Sequence, residues 1–487
     1  MGQTLVQNVN PNPNSIAPST LAQELIAPST PTQKLIAPAT PAQELIAPAT
    51  PAQELIAHAT LAQKLIARAC GRSQVAPGEI VTCRVDLAMF HDSSGPRRLQ
   101  PMLAELGAPI WDKDKVVLVI DHYVPEVDDE SRRIVRIARD WAAEQRLPHV
   151  YDSQGICHVV VPQHGHLRPG MFCVGGDSHS PTGGAFGAYM FGIGATEMLG
   201  VVVSGEIWLE VPQTIFMQWS GRLVDGVSAK DMMLAMLGRH GMDGGEYQAV
   251  EFCGEGVTAL SMQERMTLAN MSAELGAMVG LVAPDQTTRA WLAAHGAPEV
   301  EIEPWHSDAG APGARHAFDA STLAPQVALP HSPANVCGVD QLAATRIDIA
   351  YIGACTGAKL DDLRAAARVL AGRRIAAGVQ LLVAPASLRD AAEAQREGVM
   401  AHLIDAGATL LPSSCGACAG YGSSIAEGSN VISSTARNFK GRMGAATAMV
   451  YLGSPYTVAA SALRGAISDA REILAEPTRR AAQKGQA

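Results

Sequence analysis

Aromatic side chains are scarce in this chain, only 5% of 487 residues, so its cores cannot be built from large rings. Glycine (46 residues) and alanine are abundant instead, a mix that suits helices packed tightly on sheets with close backbone approaches. Positive charge is also short: 37 Lys and Arg face 47 Asp and Glu, a net of −10. Nucleic-acid binding rests on neutralising phosphates, so a chain this acidic is a poor general binder of nucleic acid. No uninterrupted apolar run is long enough to cross a membrane. The most apolar stretch, Ala188 to Val211, is broken by Glu197, Glu206 and Glu210. The start, Met1-Gly-Gln-Thr-Leu-Val, lacks the basic and apolar regions of a secretory signal, and Val6 stands where myristoylation needs Ser or Thr. Without a secretory signal, the nine cysteines read as reduced thiols, and an intracellular, cytoplasmic location is expected.

A fourth cysteine is missing from the most informative pattern. Cys355 stands in Gly353-Ala-Cys-Thr-Gly, and Cys415 and Cys418 stand in Ser414-Cys-Gly-Ala-Cys-Ala-Gly420. Four thiolates close a structural zinc or iron–sulfur site, whereas three protein ligands leave one position open for substrate. Buried apolar cysteines of a core are the competing reading. Against it, small residues crowd all three, as a backbone pressed against a bulky cofactor requires.

Residues 1–58 are unlike the rest. A ten-residue unit, Leu21-Ala-Gln-Glu-Leu-Ile-Ala-Pro-Ser-Thr30, recurs at Pro31, Pro41, Pro51 and Leu61. Each copy carries capping signals, but prolines stop each turn after about seven residues, and helices that short are marginal in water. A mobile, low-complexity tail of transient turns is expected. In the last copy Leu61 replaces Pro, Thr60 and Gln63 form a capping box, and Gly71 supplies a stop, which predicts the first true helix.

After Gly71 the pattern is α/β. Strand-like runs (Val116–Ile120, Val159–Val161, Val201–Val203, Leu381–Val383) alternate with helical stretches (Glu130–Glu144, Asp361–Leu370), which predicts parallel sheets covered by helices. The length suggests about three domains, with a boundary near Arg315–Pro333.

Five segments place polar residues in apolar or glycine-rich surroundings: Phe90-His-Asp-Ser-Ser-Gly-Pro96, Ile120-Asp-His-Tyr-Val-Pro125, Gln154-Gly-Ile-Cys-His158, Gly175-Gly-Asp-Ser-His-Ser-Pro-Thr-Gly-Gly184 and Ser434-Thr-Ala-Arg-Asn-Phe-Lys-Gly-Arg442. Asp121-His122 follows the apolar run Val116–Ile120, and a strand's carboxyl end is where α/β folds place their sites. A carboxylate partner fixes a histidine's tautomer and raises its basicity. Arg437 and Arg442 in a glycine-punctuated loop suit a bidentate carboxylate clamp.

Together with Val85-Asp-Leu-Ala-Met89, Gly184-Ala-Phe-Gly187 and Val250-Glu-Phe252, these motifs resemble the aconitase superfamily, in the branch of the 3-isopropylmalate dehydratase and homoaconitase large subunits. The resemblance runs from about Leu61 to about Leu474. It implies an α/β fold of three aconitase-like domains around a central iron–sulfur cluster, at residues 59–212, 213–315 and 316–487, behind the 1–58 repeat tail. It implies that Cys355, Cys415 and Cys418 hold a [4Fe–4S] cluster. Asp121 with His122, and Asp177 with His158, are the implied pairs that help a hydroxyl leave as water. His179 and Glu251 are the implied contacts to the iron-bound water, and His91, Ser178, Arg437 and Arg442 those to substrate. The implied reaction is dehydration and rehydration of a 2-hydroxy di- or tricarboxylic acid, with 3-isopropylmalate and hence leucine biosynthesis first. Homoaconitate, citramalate and dimethylmalate are alternatives. A cluster-free regulatory RNA-binding paralogue is disfavoured by the acidic charge.

The departures are specific. Gly357 and Ala436 stand where the family usually has Asn, and Phe90 where the isomerase branch often has Thr. The mobile fourth domain that carries the serine base in full-length aconitases has no counterpart here, so a separate small subunit is expected to supply that serine. No nucleic-acid or membrane partner is expected.

Overall fold

Thr60 opens the folded chain. Its hydroxyl accepts from the Gln63 backbone N–H at 3.3 Å, and the Gln63 side chain accepts from the Thr60 N–H at 2.9 Å, the predicted capping box. The helix Leu61–Ala69 buries Leu61, Ala62, Leu65 and Ile66 completely. It stops where expected: Gly71 lies at φ +70°, and the Gly71 and Arg72 N–H groups return to the carbonyls of Arg68 and Ala67, a Schellman close. The structure, a computed structural model, describes residues 58–297, 299–421 and 425–475. The expectations for the repeat tail and for the extreme C-terminus lie outside those residues.

The architecture is α/β, built on three mainly parallel sheets. The first has five strands in the spatial order His149–Asp152, Val116–Ile120, Leu87–His91, Phe172–Gly175, Tyr189–Gly192, all parallel. Val116–Ile120 and Leu87–His91 are buried at every position, as strands covered on both faces must be. The second has four parallel strands in the order Val279–Val282, Ala249–Cys253, Thr214–Ser220, Ala314–Asp319. The third has seven, in the order Val336–Gly338, Gln326–Ala328, Met449–Leu452, Asn430–Ser433, Ile349–Ile352, Gln380–Val383, Ala408–Leu410. The first two of these run antiparallel to their neighbours and the rest are parallel. Among the described residues no helix is long and apolar enough to cross a membrane.

Connectivity explains where a site can form. In the first sheet the chain builds outward from Leu87–His91 on one side, then returns to lay Phe172–Gly175 on the other. In the third, Ile349–Ile352 and Asn430–Ser433 are related in the same way. The crevice beyond the carboxyl ends at such a reversal is where α/β sheets bind ligands.

Three expectations need correction. Val159–Val161 lies in the helix Cys157–Gln163 and Val201–Val203 in the helix Ala195–Ser204. Short apolar runs do not distinguish a buried helix from a buried strand. In the second case the ends decide: the Glu197 side chain accepts from the Gly194 N–H at 2.9 Å, and Gly205 at φ +74° closes the helix. The boundary expected at 315/316 falls inside the strand Ala314–Asp319, whose pairing with Thr214–Ser220 carries the second sheet on to Asp319.

Candidate active site

Both chain reversals open on one cavity of about 300 Å³. From the first sheet come His91, at the end of its strand, His122 just beyond Ile120, and Asp177, Ser178 and His179 just beyond Gly175. From the third come Cys355, beyond Ile352, and Arg437, beyond Ser433. All of these line the cavity, joined by His158, Cys415, Cys418 and Arg442.

Asp121 stands one layer behind, fully buried. One carboxylate oxygen meets His122 Nδ1 at 2.7 Å and the other accepts from the Cys157 N–H at 2.7 Å. With Nδ1 engaged by Asp121, Nε2 is the nitrogen of His122 left for the cavity, 3.8 Å from the Asp177 carboxylate. Asp92 holds this turn by accepting the N–H groups of Asp121, His122 and Tyr123 at 3.3, 3.0 and 2.8 Å. Burial opposes a charge on His122, but Cys415 and Asp121 outweigh it and hold the imidazole well above its ordinary range. His91 stacks on His122 with ring centres 3.7 Å apart and planes within 9°. Burial, and then His122, push His91 down to about 3, so within the stack a positive charge is favoured on His122 over His91.

Asp177 accepts from His158 Nε2 at 2.6 Å and from the His179 N–H at 2.8 Å. Burial works to raise its carboxyl, but His158, His179 and His91 outweigh it and hold it well below the usual carboxylate range.

Glu251 is not in this assembly. It lies in the strand Ala249–Cys253 and accepts from Ser307 Oγ at 2.6 Å, and it does not line the cavity. The carboxylate beside His179 is Glu274: its Oε1 meets His179 Nε2 at 2.9 Å and accepts from Arg437 Nε at 2.5 Å. Burial acts to raise Glu274, but His179 and Arg437 prevail and lower it. Asn270 and Glu274 stand four residues apart just before Leu275-Gly276, with Ser272 between them.

The cysteine loops are shaped by contact. Gly353 and Gly357 flank the Cys355 turn, where Ala354 takes a left-handed φ of +69°. A Cβ on Gly353 would lie 2.2 Å from the Tyr351 ring, and one on Gly357 would lie 2.2 Å from Ser434 Oγ and 2.5 Å from its carbonyl oxygen. The asparagine usual at position 357 therefore does not fit here. The Asn270 amide donates to Cys355 Sγ at 3.2 Å instead. Cys415 is tied across to the first sheet by its N–H, which donates to the Asp121 carbonyl at 3.0 Å.

Three observations bear on what the thiols could hold. Burial and the neighbouring Cys418 and Cys415 push the Cys355 thiol up, and burial raises Cys418 against the pull of Arg442. Buried thiols raised in this way, as Cys355 and Cys418 are, are stabilised as thiolates by a cationic centre beside them. Among the described residues, no group of three ligand atoms lying within 4.8 Å of one another includes a cysteine sulfur. A single ion with bonds of ~2.3 Å would draw its sulfurs to about 4 Å, closer together than these three sulfurs stand. Finally, Asn270 Oδ1, Glu274 Oε2 and Arg442 Nε are buried without a hydrogen-bond partner, although buried polar atoms are normally satisfied. The residues fit a bulky polar group seated among them.

The chain matches the family model for the aconitase family (aconitate hydratase) over residues 63–346 and 340–465. It is 41% identical to the 3-isopropylmalate dehydratase large subunit 1 of Methanopyrus kandleri over 84% of this chain and 97% of that protein. It is 40% identical to the 3-isopropylmalate dehydratase large subunit of Nitratidesulfovibrio vulgaris, over 81% and 94%. It is 39% identical to the probable methanogen homoaconitase large subunit of Methanothermobacter thermautotrophicus, over 82% and 95%. Matches of this extent, over the same stretch that carries the thiols, the histidine–carboxylate pairs and the arginines, establish that the chain belongs to the aconitase family.

Proposed function

We propose that this chain is the large subunit of a [4Fe–4S]-dependent hydro-lyase that removes and re-adds water on a 2-hydroxy di- or tricarboxylic acid. The observation that carries the reading is the meeting of three thiols, two arginines and two histidine–carboxylate pairs around one cavity. Cys355, Cys415 and Cys418 would hold the cluster. Bound there, it supplies a Lewis acid that polarises the substrate hydroxyl.

The chain's own groups do the rest. Arg437 and Arg442 take a substrate carboxylate and stabilise the charge that grows on it as the neighbouring C–H bond breaks. His122 carries a proton on Nε2 and gives it to the departing hydroxyl oxygen, so that the C–O bond breaks to release water. Asp121 stabilises the imidazolium before transfer and fixes the tautomer left behind. Asp177 orients His158 in the same manner, and Glu274 aligns His179 and Arg437. The electron pair of the broken C–H bond forms the carbon–carbon double bond. Its proton goes to a serine base on a separate small subunit. Rehydration runs the same steps in reverse.

The names of the relatives favour 3-isopropylmalate, in leucine biosynthesis, as the acid. The homoaconitase relative keeps homoaconitate as a second reading. Citramalate and dimethylmalate are the nearest smaller candidates.

The test is anaerobic reconstitution of the chain with iron and sulfide, with and without the small subunit. Each sample is assayed for the unsaturated acid formed from a panel of 2-hydroxy acids. The expected result is a cluster in the chain alone and turnover only in the pair. Turnover by the chain alone would place the base within it, and no turnover of any acid by the pair would end the hydro-lyase reading.

A further inference from the structure

Lys230 is in an unfavourable place on two counts. It is the second residue of the helix Ala229–His240, where the helix dipole disfavours a cation. It is also 2% exposed, where an unpaired ammonium is costly. Among the described residues no carboxylate lies within the 4.0 Å of an ion pair. Its Nζ instead donates to Thr435 O at 2.6 Å, Ser434 O at 3.1 Å and Thr356 Oγ1 at 3.3 Å. Those acceptors belong to two different loops. Thr356 follows the ligand Cys355, and Thr435 lies two residues before Arg437 of the carboxylate clamp. The Thr356 hydroxyl itself donates to Ser434 O at 3.0 Å, so the ammonium sits over the seam between the two loops. Lys359, the other buried lysine nearby, differs. It donates to Cys355 O at 3.1 Å, but an ion pair with Asp362 at 2.7 Å answers its charge. The acidic groups whose charge would act on Lys230 are Glu274, Cys355 and Cys418, the last two being the thiols that would ligate the cluster.

We infer that Lys230 is a positioning residue of the cluster site: its ammonium pins the Cys355 loop to the Arg437 loop and supplies the buried cation that balances a thiolate-bound cluster. The inference rests on the cluster reading given above. Loss of this cation removes one charge facing the cluster and takes the Lys230 donor from the buried Thr435 carbonyl, while Ser434 O keeps only the Thr356 hydroxyl. Groups that orient metal ligands typically contribute about 10–100-fold to metal retention.

The experiment compares anaerobically reconstituted wild type, Lys230→Met, Thr356→Val and, as a control, Met233→Ala. Met233 is fully buried in the same helix and donates to neither loop. The readouts are iron per chain, the electron paramagnetic resonance spectrum of the oxidised cluster, its bleaching rate in air, and the melting temperature. Lys230→Met should bleach about 10–100-fold faster than wild type with an altered spectrum. Thr356→Val should shift the same way by less, and Met233→Ala should melt lower with its spectrum and bleaching unchanged. If Lys230→Met does not fold, Thr356→Val decides, and wild-type behaviour there overturns the inference. Bleaching of Lys230→Met within twofold of wild type overturns it too, as does identical behaviour of Met233→Ala. Failure of wild type to take up a cluster would instead sink the reading on which the inference rests.

Discussion

Glu274→Gln separates the site carboxylate from the one that sequence reading preferred. The substitution keeps the shape and one acceptor oxygen, so both hydrogen bonds to Oε1, from His179 at 2.9 Å and from Arg437 at 2.5 Å, retain an acceptor. What disappears is the negative charge beside the Arg437 guanidinium and the buried His179 imidazole. Removing one member of a buried pair costs about 3–5 kcal/mol. Arg437 is 18% exposed and two bonds survive, so the lower end applies, about 3 kcal/mol at neutral pH. The pH dependence has a definite sign. The folded carboxyl of Glu274 lies below its ordinary 4.5, because His179 and Arg437 overcome the effect of burial. Its stabilisation is therefore complete above about 4.5 and is lost as pH falls through the lower folded value. Denaturant unfolding of wild type and variant should show a gap of about 3 kcal/mol at pH 7 that narrows below pH 4.5, with kcat/KM in the reconstituted pair down about 10–100-fold. A variant as stable and as active as wild type at pH 7 would refute the reasoning, as would a gap that stays constant into acid.

Glu251→Gln should behave in the opposite way. Burial raises Glu251 from 4.5 to about 7, so the folded state keeps a proton that the unfolded chain gives up. Stability falls as pH rises through that window, by roughly 3 kcal/mol from this group. The Gln variant should be more stable than wild type at pH 8 and equal at pH 4, with kcat/KM within twofold; a hundredfold loss of activity would return Glu251 to the catalytic set. Gly357→Asn, which restores the residue usual in the family, should lower the melting temperature and weaken cluster retention, because its Cβ meets the Ser434 carbonyl oxygen at 2.5 Å. A variant as stable as wild type would show that the loop has room to yield.

Much of this site was legible in the residues because its chemistry is concentrated in short motifs at strand ends. Asp121-His122 follows a run of five buried apolar residues, and Gly353-Ala-Cys355 follows another strand, so motif and position pointed to the same place. The capping box at Thr60 and Gln63 is local, and it was readable for that reason. Glu274 was not readable because its role is set by tertiary contact: it reaches His179 across 95 positions of sequence, and Glu251 in a motif drew the assignment instead. Lys230 was missed for the same reason, since its three acceptors are 126, 204 and 205 positions away. The role of Asp92 is not legible in its motif, because its three N–H partners are about thirty residues downstream. Val159–Val161 and Val201–Val203 failed as strands because apolar runs without a polar face carry no period.

The most direct test of the central claim is the iron and sulfide content of the anaerobically reconstituted chain, measured beside Cys355→Ser, Cys415→Ser and Cys418→Ser. About four iron and four sulfide per wild-type chain are expected for a [4Fe–4S] centre, with a brown absorption band, and a loss of that content in each variant, since the account gives the cluster only three thiolates. Full iron and sulfide in any one of the three variants, or a colourless wild type, would contradict it.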